Sequence, residues 1–282
     1  MQTCDRSYEG IYFSLWETAQ RYGNFTQFRV IGNSHDERMI PMLEIGKGSD
    51  LIFCVAGIHG NDRMMPLYLK EMALELCRAY ECRWQVEDFY DVQDLLDEIR
   101  VCVIPIINPD GYEIYENGYT TIRNPILRQM LKMQNLPPKE FSYNARGMDI
   151  HTNFPTNNVK RNRIHQEPAS ENETKALIRI FQEYNSSGLL VFCHSQKRII
   201  YYRQAGALSS NQKNYRLARH LQMRSNFRLE KRIFPDGNHQ VRDYGSTGTM
   251  EQYYTEICKQ PVMRIETPYW EEEKRETAAH QN

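Results

Sequence analysis

Basic residues are not in excess in this chain: 35 Lys and Arg stand against 36 Asp and Glu in 282 residues, a formal net charge of -1. Nucleic acid and anionic membranes both demand a positive face, so neither is expected as a partner. Selectivity for a charged substrate must then come from local placement. Long apolar runs are also missing, and none approaches the roughly 20 residues that span a bilayer. The first ten residues, MQTCDRSYEG, lack a basic segment followed by an apolar one. No secretory signal is read there, and a cytoplasmic setting is expected, with secretion left open. A disulfide framework is absent too. The seven cysteines are scattered and odd in number, and Cys54 and Cys102 lie inside apolar runs, as buried thiols do. Cys77 and Cys82 fit no zinc-knuckle spacing. Internal repeats and low-complexity linkers are lacking as well. One domain over 1–270 is therefore expected, followed by a charged tail, EEEKRETAAHQN (271–282), that frays.

What is present is a set of short β-rich runs: LIFCVA (51–56), VCVIPIIN (101–108), LLVFC (189–193) and VMRIE (262–266). Each is nearly continuously apolar, as strands covered on both faces are. Between the first two, Met65, Leu69, Met72 and Leu76 recur at helical spacing. SENETKALIRIFQEY (170–184) reads as a second helix, with Ser170 and Glu173 in a capping-box pattern and Leu177, Ile180, Phe181 and Tyr184 as its apolar stripe. FRVIGNSHDERMIPMLEIG (28–46) reads as a hairpin turning at Asn33 to Glu37. The long polar stretch from Glu113 to Glu173 holds one helical candidate, NPILRQMLKMQ (124–134). Strands alternating with helices imply an α/β fold: a single-domain α/β/α sandwich around a mixed, largely parallel twisted sheet.

Ligands of open α/β sheets bind beyond the carboxyl ends of the strands, so the residues delivered there carry the functional reading. The first run ends at Gly57 and presents His59 and Asp62. The second ends in NPDGY (108–112), read as a turn. The third presents His194, and the fourth Glu266. Two histidines and two carboxylates from three strand ends suit a catalytic metal, with three N/O ligands and one carboxylate standing off as base. Each piece also has a plain reading: a polar loop, a hydrogen-bonded histidine, a glutamate paired with Arg264.

The ordered set AGIHGND, NPDGY, NARGMDIHTNFP, CHSQ and RIETP resembles the zinc carboxypeptidase family. The nearest look is to bacterial peptidases that cut the γ-D-glutamyl-diaminopimelate bond of cell-wall peptides. The resemblance runs from about Tyr8 to Trp270. It implies one zinc per chain held by His59, Asp62 and His194, with Glu266 as general base and Arg123 polarising the scissile carbonyl. A small peptide or muropeptide is the implied substrate. The loop DYGSTGTMEQYY (243–254) resembles the segment lining the family's specificity pocket, which brings in Tyr244, Met250 and Glu251. Glu251 in that pocket would favour a substrate with a basic end.

Three departures from the family pattern stand out. Asp62 replaces a glutamate and is one methylene shorter. His151 and Thr152 stand where the family has the Asn-Arg pair that grips a substrate carboxylate, so a bidentate clamp is lost. Lys197 stands where these relatives often have glycine. An anchor supplied by His151, or by Arg146, Arg163 or Arg203, would keep the chain an active hydrolase of altered specificity. The alternatives are an impaired pseudoenzyme that binds cell-wall peptides and a related zinc amidohydrolase that removes acyl groups. His35, His165, His220, His239 and His280 match no motif and are expected on the surface.

Overall fold

The structure is a computed structural model, and it describes residues 6–87, 89–157, 167–202, 208–230 and 248–268. In chain order the helices are α1 (Tyr8–Arg21), α2 (Met65–Glu81), α3 (Val92–Glu98), α4 (Pro109–Asn117), α5 (Pro125–Met133), α6 (Asn172–Glu183), α7 (Leu208–Met223) and α8 (Met250–Cys258). The strands are β1 (Thr26–Asn33), β2 (Met39–Ile45), β3 (Asp50–Val55), β4 (Gln85–Val86), β5 (Tyr90–Asp91), β6 (Ile99–Ile104), β7 (Ser186–His194), β8 (Ile199–Tyr201), β9 (Arg228–Leu229) and β10 (Val262–Thr267). Eight strands form one sheet in the order β1-β2-β6-β3-β7-β10-β8-β9, and β4 pairs with β5 apart from it. The central pairs β6/β3, β3/β7 and β7/β10 are parallel, and the β1/β2, β2/β6 and β10/β8 pairs are antiparallel. This is the mixed, largely parallel sheet that the strand composition implies.

Alternation along the central strands explains why both faces are apolar. Phe53 and Val55, Cys102 and Ile104, and Leu189 and Val191 join Leu177, Ile180 and Phe181 of α6 and Tyr253 and Tyr254 of α8 in one core. Their neighbours Cys54, Val103, Leu190 and Phe192 point the other way, onto Leu15 of α1 and Met65, Leu69, Ala73 and Cys77 of α2. The six cysteines among the described residues are all free thiols. Burial pushes the Cys54 thiol up to about 12, which makes it unreactive. No described helix is long and apolar enough to cross a membrane.

Three local expectations are corrected. The buried stripe of α2 is Met65, Leu69, Ala73, Cys77 and Tyr80, while Met72 and Leu76 lie on its flank. Capping of α6 does not use Ser170: the N-cap is Glu171, without a side-chain cap bond, and the Ser170 hydroxyl donates to Glu171 Oε1 at 2.6 Å. Glu173, expected to complete the box, is buried and accepts from Asn144 Nδ2 at 3.3 Å. Finally, NPDGY opens α4 rather than forming a free turn. Asn108 is its N-cap, accepting from Gly111 N at 2.9 Å, and Pro109 occupies the first helical position.

Candidate active site

The chain leaves β3 through Gly57, at φ +63°, a left-handed turn where a side chain would also press within 3.0 Å of the Pro105 carbonyl. It then folds back on itself within four residues, since Asp62 N donates to the His59 carbonyl at 3.1 Å. Gly60 makes this turn fit against α4: a Cβ there would lie 2.7 Å from the Gly111 carbonyl carbon. Asn108, fully buried, ties the turn to a second loop by donating Nδ2 to the carbonyls of Ile58 at 3.3 Å and Tyr143 at 3.0 Å. The result is a cavity of about 310 Å³ lined by His59, Asn61, Asp62, Ser142, Cys193 and His194. Three candidate ligands from two strand ends therefore share one wall. Asn61 and Ser142 were not singled out from the sequence. Asn61 lies between two that were, but nothing in the polar stretch from Glu113 to Glu173 marks Ser142.

The Asp62 carboxylate is buried at the start of α2, where the first N–H groups of a helix favour an anion. Its Oδ1 accepts from Met65 N and its Oδ2 from His194 N, both at 3.2 Å. Burial nevertheless pushes the acid up to about 7, those two bonds opposing it. An added cation would reverse that shift. His59 is driven the other way. Burial, and then the neighbouring His151, lower it to about 4, so it is a neutral nitrogen donor near neutral pH, as metal ligation requires. Two imidazoles and one carboxylate are a donor set that suits a divalent ion of the zinc type.

Glu266 follows from sheet register. On the parallel pair β7/β10, Glu266 lies opposite Cys193 and Thr267 opposite His194. Glu266 Oε1 accepts from Arg264 Nη2 at 3.2 Å, so the plain reading of this glutamate as an ion-pair partner is realised alongside its place at the site.

The remaining sequence candidates are placed unevenly. His151 and Glu251 are buried and joined at 2.8 Å from His151 Nε2 to Glu251 Oε2. The His151 ring meets that of His59 edge-on, centroids 5.4 Å apart. Burial alone would raise Glu251, but the charge of His151 and its hydrogen bond hold it down at about 2. The same carboxylate raises His151 against its burial. Glu251 is thus matched by His151, which weakens the idea that it draws a basic substrate end. Thr152 Oγ1 donates to Asp149 Oδ2 at 3.0 Å within its own turn. Met250 is wholly buried in the core. Arg146 donates to Glu171 Oε1 at 3.2 Å with 43% of its side chain exposed. Arg123 is exposed and absent from the cavity wall, yet its backbone is fixed by Asp36, which accepts from Arg123 N at 2.8 Å and from Asn124 N at 2.9 Å. Tyr244, Arg163 and Arg203 lie outside the described residues.

A second cluster complicates the choice of metal centre. Among the described residues, the group whose ligand atoms all lie within 4.8 Å of one another is His35, Glu171 and Glu173, not the cavity triad. This corrects the expectation that His35 is a surface histidine: it pairs with Glu171 at 3.0 Å. His220 is exposed as expected, and His165, His239 and His280 lie outside the described residues. The His35 cluster already holds hydrogen-bond donors. Asn144 Nδ2 donates to Glu171 at 2.7 Å, Arg146 pairs with its other oxygen, and the Asn172 backbone N–H donates to His35 Nε2 at 3.3 Å. Glu171 is thus well supplied with donors, whereas Glu173 Oε1 is buried without a hydrogen-bond partner among the described residues, so the cluster is a hydrogen-bonded hub with one open acceptor.

Comparison with known proteins places the whole chain in a family. The family model for zinc carboxypeptidase matches residues 11–268. Human carboxypeptidase D is 30% identical over 179 residues, 61% of this chain and 11% of its own length. The gamma-D-glutamyl-L-diamino acid endopeptidase 1 of Lysinibacillus sphaericus is 26% identical over 196 residues, 63% of this chain and 48% of its own. The chain thus spans half or less of these relatives. Among solved structures, carboxypeptidase A of Helicoverpa armigera superposes with a TM-score of 0.64 at 17% identity, covering 94% of this chain and 64% of that one. Bovine thrombin-activatable fibrinolysis inhibitor gives 0.66 at 14% identity, covering 92% and 85%. With residues 11–268 matched by the family model, the chain belongs to the zinc carboxypeptidase family.

Proposed function

We infer that this chain is a zinc-dependent peptidase that hydrolyses an amide bond in short peptides, with muropeptides carrying a γ-D-glutamyl-diaminopimelate bond as the leading substrate. The observation that carries the reading is the convergence of His59, Asp62 and His194 on one cavity wall, with Glu266 in register beside it. His59, Asp62 and His194 would hold the metal. Bound there, zinc supplies the Lewis acidity that activates water and polarises a carbonyl. Glu266 takes a proton from the attacking water and returns it to the leaving amine. Its bond to Arg264 orients it for the first transfer. His151, held by Glu251, braces the His59 ring from the side. Arg123 stands exposed outside the cavity wall, and Asp36 keeps its backbone in place.

The 26% identity to an endopeptidase named for gamma-D-glutamyl-L-diamino acid bonds supports the cell-wall substrate. The exposure of Arg123 and the bonding of Thr152 to Asp149 favour the second reading, a peptide-binding protein without turnover. Incubating the zinc-loaded protein with a γ-D-glutamyl-diaminopimelate peptide and following the released amine decides between them. Cleavage abolished by Glu266→Gln supports the peptidase, and peptide binding without cleavage supports the second reading.

A further inference from the structure

His59, Asp62 and His194 account for three of the six residues that line the cavity. The others are Asn61, Ser142 and Cys193, and each carries a hydrogen-bond donor. Cys193 is a buried free thiol, whose S–H is a weak donor. Asn61 is exposed, so water competes for its amide. Ser142 is half-buried, and its hydroxyl makes no hydrogen bond among the described residues. The backbone beneath that hydroxyl is fixed. The Ser142 carbonyl accepts from Gly60 N at 3.0 Å, one residue along from His59. The next carbonyl, of Tyr143, accepts from Asn108 Nδ2 at 3.0 Å. Asn144 then closes its own loop: its N–H donates to the Met148 carbonyl, and its Oδ1 accepts from Arg146 N and Met148 N, all at 3.0 Å. An open donor therefore stands on a rigid loop that is tied to the turn carrying His59.

Attack of water on an amide places negative charge on the carbonyl oxygen, and a donor held in place beforehand stabilises that charge with little reorganisation. Resting on the reading of the cavity as a peptidase site, this oxygen develops its charge within the cavity wall. Arg123, the arginine that the family resemblance assigns to it, is exposed and absent from that wall. Among the described residues that do form the wall, Ser142 offers the donor that is both open and held.

We propose that the Ser142 hydroxyl donates a hydrogen bond to the carbonyl oxygen of the scissile amide as that oxygen takes up charge. Ser142 is then a catalytic residue whose bond strengthens on the way from substrate to tetrahedral intermediate. The test uses the zinc-loaded full chain and compares wild type with Ser142→Ala and Ser142→Thr in two measurements. One is kcat and KM on a γ-D-glutamyl-diaminopimelate peptide. The other is calorimetric affinity for a phosphinate analogue of that peptide, whose tetrahedral oxygens carry the charge that the amide gains only in reaction. Ser142→Ala is expected to lower kcat about ten- to hundredfold with KM little changed, the loss of one hydrogen bond to a charged acceptor. Phosphinate affinity should fall by the same factor. Ser142→Thr keeps a hydroxyl and should retain most of both. Bound zinc should be equal in all three proteins, since the hydroxyl bonds nothing in the free chain. Unchanged kcat and phosphinate affinity in Ser142→Ala overturn the proposal while leaving the peptidase reading intact. Equal losses in the Ala and Thr variants overturn it too, by assigning the effect to packing of the wall. Absence of cleavage by the wild type overturns the peptidase reading. Calorimetry then still decides on Ser142: phosphinate affinity that is equal in wild type and Ser142→Ala, or missing from both, refutes the hydrogen bond.

Discussion

Single residues at this site act through neighbours as much as through their own chemistry. Glu251 illustrates it, since its partner His151 is the residue that lies against His59. The stability the pair contributes has a definite pH window. Glu251 titrates at about 2 rather than 4.5, so its share is complete above pH 4.5 and fades as pH falls toward 2. His151 is raised from 6.5, so its share is complete below pH 6.5 and fades as pH rises through its higher folded value. Glu251→Gln should therefore cost most between pH 4.5 and 6.5, about 3 kcal/mol for a buried pair broken on one side. Urea midpoints of chelated wild type and variant across pH 3 to 9 measure this. A gap that does not narrow at either end would contradict the ion pair. Gly60 acts through space alone. Gly60→Ala forces a Cβ to within 2.7 Å of the Gly111 backbone, so the His59 turn must shift. A loss of about 1–3 kcal/mol and a fall in bound zinc are expected, read from melting curves and metal analysis.

Elements show which sequence signals carry over into structure and which are overridden. The four apolar runs became β3, β6, β7 and β10 because strands buried on both faces leave little freedom in composition. His59, Asp62, His194 and Glu266 stand at or just beyond strand ends for the same reason. Ser170 and Glu173 do not form the box their spacing predicts, because a local capping pattern competes with tertiary partners, and Asn144 bonds Glu173. The turn of the β1/β2 hairpin was legible as a turn but not as a foundation. Asp36 and Arg38 look like ordinary turn polarity, yet both are buried. Arg38 Nη1 donates to Asp36 Oδ2 and Asp110 Oδ1, each at 2.8 Å, and Nη2 to the Thr121 carbonyl at 2.7 Å. Long-range bonds of this kind leave no trace in local sequence. They bring the hairpin turn, α4 and the segment carrying Arg123 into one unit. Asp36→Ala should leave Arg38 with Asp110 as its one remaining carboxylate among the described residues and strand two backbone N–H groups, lowering stability by about 3 kcal/mol. It should also cut turnover by releasing Arg123. Thermal melts and kcat of the zinc-loaded variant test both, and full kcat at a lowered melting temperature would detach Asp36 from Arg123.

At the scale of the whole molecule, two places compete for one ion, and the fold distinguishes them by what already fills each. The His35 cluster has Asn144, Arg146 and a backbone N–H directed at its acceptors. The cavity at the strand ends instead holds a neutral imidazole and a carboxylate raised to about 7 by burial, a state that a divalent cation relieves. Metal binding to the folded chain then adds stability by mass action, about 2.7 kcal/mol at a hundredfold excess over Kd. Zinc per chain should thus be near one in the wild type and in His35→Ala, and near zero in His59→Ala. Adding zinc to the chelated wild type should raise its melting temperature, and adding it to His59→Ala should not. Asp62→Glu bears on the shorter ligand. The longer side chain can reach the ion but must leave the N–H groups of Met65 and His194, so it should hold zinc while lowering the stability of the chelated protein. Loss of zinc from His35→Ala with retention in His59→Ala would move the metal centre to the other cluster. In that event the cavity, Glu266 and Arg264 would have to be understood as a peptide-binding site without a metal.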